Sequence, residues 1–222
     1  MQVKSTATKW LVLVAFAAAM VYLTPADAAA PKNIGVKAFG KTLGEWMALH
    51  VGRSLWAAVE VEKPDQVGNV KLMPIPDGEY QGGAGTVDDP AVFEGQLDVT
   101  LKSGTAFVLP VTGWIAWTYP TDWGWPDDPP LPVSTFSGTV SVDGRPVAVK
   151  YFEPTYFDEP IPVAGWPDGT YAIFVQGLGV VHEPLSVGCH TMELESSFIS
   201  PEVGQGSIYH NTWDITVVPG KK

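Results

Sequence analysis

The hydrophobic pattern of this chain changes once, from the spacing of an α-helix to the alternation of β-strands. Apolar residues recur at helical intervals through residues 41–61, and they alternate with polar residues through residues 93–101. Four side chains of the first segment share one helical face: Leu43, Trp46, Met47 and His50. The sequence therefore predicts one amphipathic helix followed by a β-rich remainder.

The predicted helix has recognisable start and end positions. Thr42 and Glu45 have the spacing of a capping box, in which each side chain accepts a hydrogen bond from the other residue's backbone N–H. Gly52 weakens the middle of the helix by about 1 kcal/mol relative to Ala, and Pro64 limits its extension. These positions place the helix within residues 41–61.

The rest of the chain is divided into short segments by 23 Gly and 20 Pro. Asp143-Gly144 lies between two β-forming segments and is typical of a tight hairpin turn. Further strands are predicted over residues 106–119, 138–142, 146–152, 170–176, 189–196 and 208–218. We therefore expect a mostly β fold, an antiparallel β-sandwich of jelly-roll or Ig-like type with one N-terminal amphipathic helix.

The first thirty residues have the pattern of a secretory signal peptide. Lys4 and Lys9 precede an apolar run over residues 10–23, and a stretch of small residues follows it. The run is shorter than the roughly 20 residues that a membrane span needs. We expect residues 1–30 to be removed and residues 31–222 to form a single domain, secreted or periplasmic, with no integral membrane segment after cleavage.

The composition argues against one class of partner. The chain has 13 Lys and Arg against 24 Asp and Glu, a formal net charge of -11. Phosphate binding needs a basic surface, so nucleic acid is not expected as a partner, and an anionic membrane surface is disfavoured. The single cysteine, Cys189, cannot form an internal disulfide; it could be a nucleophile or form an intermolecular bridge, but we expect a small buried residue in a strand. No cofactor and no oligomeric state is predicted.

Four short motifs occur along the chain: Gly40 to Trp46 (GKTLGEW), Val142 to Val147 (VDGRPV), Gly169 to Tyr171 (GTY) and Pro184 to Thr191 (PLSVGCHT). Together they resemble a group of secreted bacterial proteins without an assigned activity, which open with a Gly-Lys-(Ser/Thr)-x-Gly-Glu-Trp helix and end in a β-rich half. The resemblance implies a secreted β-sandwich and assigns no catalytic residues. The chain departs from the group's pattern, since the tandem Trp after Trp46 and the cysteine pairs are absent.

The densest group of aromatic and acidic residues lies over residues 114–130. Its candidate ligand-binding residues are Trp114, Trp117, Tyr119, Trp123, Trp125, Asp127 and Asp128. Exposed rings on a proline-rich loop could stack on sugar rings or another apolar ligand, and the carboxylates could bond hydroxyls or hold Ca2+. Alternatively, the rings cap the open end of the core and the acids are solvated. Asp127-Asp128 lacks the spacing of a calcium loop, so no metal site is predicted.

A second group of candidates lies near the C-terminus. His182, His190 and His210 fall on different predicted strands, and Asp214 or a nearby glutamate could orient an imidazole for acid–base catalysis. The spacings typical of metal-binding histidines are absent, and the rings could instead bond only local backbone groups.

Two functions follow from these candidates. The first is a secreted binding or interaction domain that uses the aromatic-acidic loop to hold a glycan or another extracellular small molecule. The second is a secreted hydrolase or lyase that uses the C-terminal histidines and a carboxylate. The enzyme hypothesis expects at least two of these histidine or carboxylate groups to converge in one pocket, whereas the binding hypothesis expects solvent-facing Trp rings.

Overall fold

One α-helix, two short 3-10 helices (Thr121–Trp123 and Val133–Thr135) and eleven strands make up the regular structure of residues 37–220, the part of the chain that the computed structural model describes. The helix, α1, is Leu43–Ala58. The strands are β1 (Gln66–Val67), β2 (Val70–Leu72), β3 (Glu79–Gly82), β4 (Ala91–Lys102), β5 (Ala106–Thr118), β6 (Phe136–Val142), β7 (Arg145–Val147), β8 (Lys150–Pro162), β9 (Tyr171–His182), β10 (Gly188–Ser200) and β11 (Gln205–Val218). The predicted signal peptide lies outside the described residues.

The predicted helix and its capping box are confirmed. The hydroxyl of Thr42 accepts a hydrogen bond from the backbone N–H of Glu45 at 3.2 Å, and the Glu45 carboxylate accepts one from the backbone N–H of Thr42 at 2.6 Å. The helix is shorter than the predicted segment by two residues at its start and three at its end. Within residues 37–220 no helix has both the length and the apolar character needed to cross a membrane.

The strands form two mixed sheets. One has the order β1-β2-β5-β9-β8, and the other has the order β3-β4-β11-β10-β6-β7. Most neighbours are antiparallel, but β2 runs parallel to β5, and β4 runs parallel to β11 over twelve residue pairs. The prediction of purely antiparallel pairing is therefore wrong. Local turn sequences fix how neighbouring hairpin strands pair, and they carry no information on strands so far apart in the chain.

The two sheets share one hydrophobic core. Phe107 and Leu109 of β5 pack in the same cluster as Met192 of β10 and Trp213 of β11, and all four side chains are fully buried. The alternation predicted for β4 is confirmed, since Phe93, Val99 and Leu101 are buried and the residues between them are partly or fully exposed. The core thus lies between one face of each sheet.

Helix α1 covers the opposite face of the five-stranded sheet. Trp46 and Met47 are buried against Val108, Phe152 and Val175. The helix lies close to β8 at Gly44, where an added Cβ atom would be 2.1 Å from the hydroxyl oxygen of Thr155. The described residues therefore stack in three layers, helix, sheet and sheet.

Two local predictions have different outcomes. Asp143 and Gly144 both have positive φ, 51° and 69°, and they join β6 to β7 as the predicted hairpin turn. Cys189 lies in β10 as predicted, but it is exposed rather than buried. The alternation of β10 places Met192 and Leu194 in the core, so residues of Cys189's parity face away from it.

Candidate functional site

Five aromatic side chains gather where β5 ends and β9 begins. They are Trp117, Tyr119, Trp123, Trp125 and Trp166, and we refer to them as the aromatic cluster. The first four come from the end of β5 and the loop after it, and Trp166 comes from the loop between β8 and β9. Trp125 is 38% exposed, and the other four rings are partly buried.

Four rings of the cluster form a box-like arrangement. Tyr119 and Trp123 are nearly parallel, with 19° between their planes and 6.4 Å between their centroids. Trp125 stands nearly perpendicular to both rings, at 76° and 5.4 Å from Tyr119 and at 71° and 4.9 Å from Trp123. Trp166 is tilted against the same two rings at 6.4 and 6.5 Å. Tyr119 and Trp123 thus each contact both Trp125 and Trp166.

Trp117 connects the cluster to the core. Its ring meets that of Trp166 edge to face, with centroids 4.9 Å apart and 76° between the planes. Both rings pack against a buried group formed by Ile161, Val163 and Ala172. The inner part of the cluster is therefore held by packing, while Trp125 lies at its solvent side.

Asp128 fixes the loop that carries these rings. Its carboxylate accepts hydrogen bonds from the backbone N–H of Trp117 and from the Tyr119 hydroxyl, both at 3.0 Å. Burial raises the pKa of Asp128, although these two hydrogen bonds oppose the shift. Burial also raises the pKa of the Tyr119 hydroxyl, and the neighbouring Asp128 carboxylate adds to the effect. Asp127 is exposed, whereas Asp128 is partly buried.

A buried amide anchors the far end of the same loop. The side chain of Gln176 on β9 is fully buried, and it bonds both backbone groups of Leu131. Its oxygen accepts from the Leu131 N–H at 3.0 Å, and its nitrogen donates to the Leu131 carbonyl at 2.8 Å. The loop between the rings and β6 is thus tied at Asp128 and again at Leu131.

Trp114 belongs to the core and not to the exposed surface. Its side chain is 4% exposed, its indole N–H donates to the Pro129 carbonyl at 3.2 Å, and its ring stacks on Phe198 of β10 at 6.0 Å. This placement corrects the expectation of a ligand-facing ring. The reason is the alternation of β5. Trp114 and Ala116 point between the sheets, whereas Trp117 lies on the opposite face of the strand.

Trp166 is the cluster member that sequence reasoning missed. It stands alone among apolar and turn residues, about forty residues after Trp125. One feature could have found it, because the tripeptide Gly-Trp-Pro occurs at both 124–126 and 165–167. Both glycines have positive φ, 65° at Gly124 and 78° at Gly165, so the two tryptophans follow similar turns.

The structure separates the three C-terminal histidines. His182 ends β9 in the five-stranded sheet, where its ring stacks on Phe107 at 4.8 Å and its Nδ1 lies 2.6 Å from the Glu183 carbonyl. His190 and His210 lie on neighbouring strands of the other sheet, but they pair with Ile215 and Glu195 and so occupy different rungs of the ladder.

His190 has the most specific surroundings of the three. Its Nδ1 lies 2.7 Å from a carboxylate oxygen of Asp143, and its Nε2 lies 2.9 Å from the Ser186 carbonyl. Both neighbours can only accept, so the ring donates at both nitrogens and the imidazolium is favoured. The hydrogen bond to Asp143 raises the pKa of His190, and the Ser186 carbonyl adds to it. The Ser186 hydroxyl is 3.5 Å from Nε2, but that nitrogen already faces the carbonyl.

The remaining polar candidates lie on the outer face of the six-stranded sheet. Asp214 accepts a hydrogen bond from the Gln96 amide at 2.7 Å. A shallow groove of about 370 Å³ on this sheet is lined by Glu193 and Glu195, and His190 and His210 are not among its described lining residues. No three or more His, Cys, Asp or Glu side chains within residues 37–220 are grouped so as to hold a metal ion.

The arrangement therefore brings together Trp117, Tyr119, Trp123 and Trp125 of the predicted residues, with Asp128 as their anchor and Asp127 beside them. It does not bring the three histidines into one pocket. No protein-family model, no curated protein and no solved structure matches the chain.

Proposed function

We propose that this protein is an exported binding domain that holds an extracellular small molecule or glycan on the aromatic cluster. The observation that carries the proposal is the partly exposed box of Tyr119, Trp123, Trp125 and Trp166. Aromatic rings with exposed faces offer large apolar contact at fixed geometry, which suits sugar rings and other ligands with apolar faces.

The anchoring of the loop supports this proposal. A binding surface gains affinity when its rings are already in place, because the ligand then loses less free energy to ordering them. Asp128 bonds Trp117 and Tyr119, and Gln176 bonds Leu131 on the other side of the turn. Both anchors bond backbone groups and the Tyr119 hydroxyl, and they thereby position the cluster.

We also propose that the two sheets form a β-sandwich and that the protein is exported, as the signal-peptide pattern indicates. The shared core of β5, β9, β4, β6, β10 and β11 side chains supports sheet-on-sheet packing. The binding surface would then lie at one end of the sandwich, on loops. Loops placed by a rigid scaffold commonly carry binding residues.

The hydrolase or lyase hypothesis has less support from the geometry. General acid–base catalysis needs groups within hydrogen-bond reach of one substrate. His182 and His190 lie on different sheets, and both nitrogens of His190 already face acceptors. We therefore base the proposal on the rings and not on the histidines.

NMR of the full-length protein with labelled indole nitrogens tests the proposal. Trp114, Trp123 and Trp125 signals are assigned from single Trp→Phe variants. The probes are methyl β-glucoside, N-acetylglucosamine, cellobiose and choline. We expect at least one probe to shift the Trp123 and Trp125 signals and to leave the buried Trp114 signal in place. Failure of all four probes to move these signals, or equal movement of Trp114, would contradict the proposal.

A double variant provides the second arm of the test. Replacing Trp123 and Trp125 with Ala should abolish binding of the active probe without unfolding the protein. Tyr156 is the matched control, since it is an exposed aromatic residue, 66% accessible, on β8 outside the cluster. Tyr156→Ala should bind the probe as the wild type does. Unfolding of the double variant would instead assign both rings to the core.

A further inference from the structure

The segments that carry the aromatic cluster contain acids and no Lys or Arg. Neither residues 103–144 nor residues 151–220, which together hold all five rings, contain a lysine or arginine. Four aspartates lie beside the rings in sequence: Asp122, Asp127, Asp128 and Asp168. These segments therefore carry an excess of negative charge, which favours positively charged ligands.

The rings themselves favour the same kind of ligand. The face of an aromatic ring is negative, and a cation placed over it within about 6 Å is attracted, most strongly by Trp. Tyr119, Trp123 and Trp125 pack on one another with centroids 4.9–6.4 Å apart, and Trp125 keeps 38% of its surface exposed. The exposed part of Trp125 and the partly exposed ring of Trp123 therefore offer aromatic surface for a cation at the solvent side of the cluster.

The carboxylate behind Tyr119 strengthens this attraction. The Tyr119 hydroxyl donates to Asp128 at 3.0 Å, so a carboxylate lies next to the hydroxyl end of the Tyr119 ring. Asp127 is exposed next to it and adds to the electrostatic effect on Tyr119. A bound cation would therefore meet ring faces and nearby carboxylates at once.

We propose that the ligand of the aromatic cluster is an organic cation with a quaternary ammonium group. This inference rests on the proposed function, because it assumes that the cluster is the binding surface. A quaternary ammonium spreads its charge over methyl groups, which pack on rings and need no hydrogen-bond partner. Neutral sugars carry no charge for the carboxylates to attract, so they are the competing class in the test.

Choline and its neutral analogue 3,3-dimethylbutan-1-ol separate the two classes, because they have the same shape and differ in charge. Tryptophan fluorescence titration and calorimetry of the full-length protein measure both affinities. We expect choline to bind at least tenfold more tightly than the neutral analogue, with an affinity that falls as salt concentration rises. Equal affinities, or no binding of choline, would overturn the inference.

Three variants locate the effect. Trp123→Ala/Trp125→Ala should weaken choline binding at least tenfold, Asp127→Asn should weaken it several-fold and flatten its salt dependence, and Tyr156→Ala should leave it unchanged. Methyl β-glucoside is titrated in parallel. Ring-dependent binding of the glucoside without binding of choline overturns the inference and leaves the proposed function standing. Choline binding that survives the double Trp variant overturns the inference and also removes the cluster as the binding surface.

Discussion

His190 and Asp143 form an ion pair that joins the β6–β7 turn to the start of β10. The Nδ1 of His190 lies 2.7 Å from Asp143, whose second carboxylate oxygen accepts the backbone N–H of Thr191 at 3.1 Å. On its other side the ring reaches the Ser186 carbonyl in the loop before β10. One side chain thus ties two connecting segments together.

This pair should stabilise the fold only within a pH window. The pKa of His190 is raised from its usual 6.5 by Asp143, and the pKa of Asp143 is lowered from its usual 3.8 by His190. The contribution is therefore present between these usual values, and it is lost as the pH rises through the raised pKa of His190. Half-exposed pairs contribute little, so we expect about 0.2–1 kcal/mol.

Urea unfolding of the wild type and His190→Gln tests this window. The difference in free energy of unfolding should be larger at about pH 5.5 than at about pH 9. His210→Gln is the matched control, because His210 is an exposed histidine on the neighbouring strand. A His190→Gln difference that stays constant over this range would show that the pair does not hold the imidazolium.

His50 should give the opposite dependence on pH. It lies on the buried face of α1 with 2% of its surface exposed, and its Nε2 donates to the Met73 carbonyl. Burial lowers the pKa of His50 from 6.5 to about 4. Between pH 6.5 and 4 the His50 ring binds a proton in the unfolded chain but not in the folded protein. The free energy of unfolding therefore falls as the pH decreases over this range. The full effect of such a shift is on the order of 3 kcal/mol.

His50→Gln replaces the ring N–H donor with an amide N–H donor and removes the titratable imidazole. The advantage of the wild type over this variant, measured by urea unfolding, should shrink steadily as the pH falls from about 7 to about 4.5. Carboxylates elsewhere titrate alike in both proteins and cancel in the difference. An advantage that is unchanged across this range would mean that the ring is not held neutral.

The parts of the fold that the sequence predicted are those written in local patterns. The capping box of Thr42 and Glu45, the turn at Asp143-Gly144 and the alternation of β4 each depend on a few neighbouring residues. The parallel pairing of β4 with β11 joins segments more than one hundred residues apart. It depends on which faces can share a core, and no local motif encodes that choice.

The same limit applies to the candidate site. Sequence alone grouped Trp117, Tyr119, Trp123 and Trp125 because they are close in the chain, and the structure brings their rings together. It also grouped Trp114, which lies three residues before Trp117 and therefore on the opposite face of β5, where it packs against Phe198 of the other sheet. Trp166 enters through tertiary packing from a separate loop.

Two glycines on the buried face of α1 should respond differently to the same substitution. A Cβ at Gly44 would lie 2.1 Å from the hydroxyl oxygen of Thr155. The Thr155 side chain is short and its hydroxyl already donates to the Glu153 carbonyl, so it has little room to move. A Cβ at Gly52 would lie 3.3 Å from the terminal methyl of Ile161, which can move. Gly44→Ala should therefore destabilise the protein by about 1–3 kcal/mol through overpacking.

Gly52→Ala is the matched control for this prediction. Alanine favours helix over glycine by about 0.8–1 kcal/mol, which offsets the mild contact, so the change should stay within about 1 kcal/mol of zero. Both free energies of unfolding come from urea titration at one pH. Adding Thr155→Ala to Gly44→Ala should recover part of the loss, and equal costs for the two glycine variants would contradict the close approach at Gly44.

Trp114 and Trp125 should separate the core from the surface of the aromatic region. Trp114 is 4% exposed, donates to Pro129 and stacks on Phe198, so Trp114→Ala should cost about 3–5 kcal/mol by leaving a cavity. Trp125 is 38% exposed, and only part of its ring contacts Tyr119 and Trp123. We expect Trp125→Ala to cost less than half as much in urea unfolding, and to abolish the probe-induced indole shifts that Tyr156→Ala leaves intact. Equal losses of stability for the two variants would place Trp125 in the core and remove the outer wall on which the proposed binding surface depends.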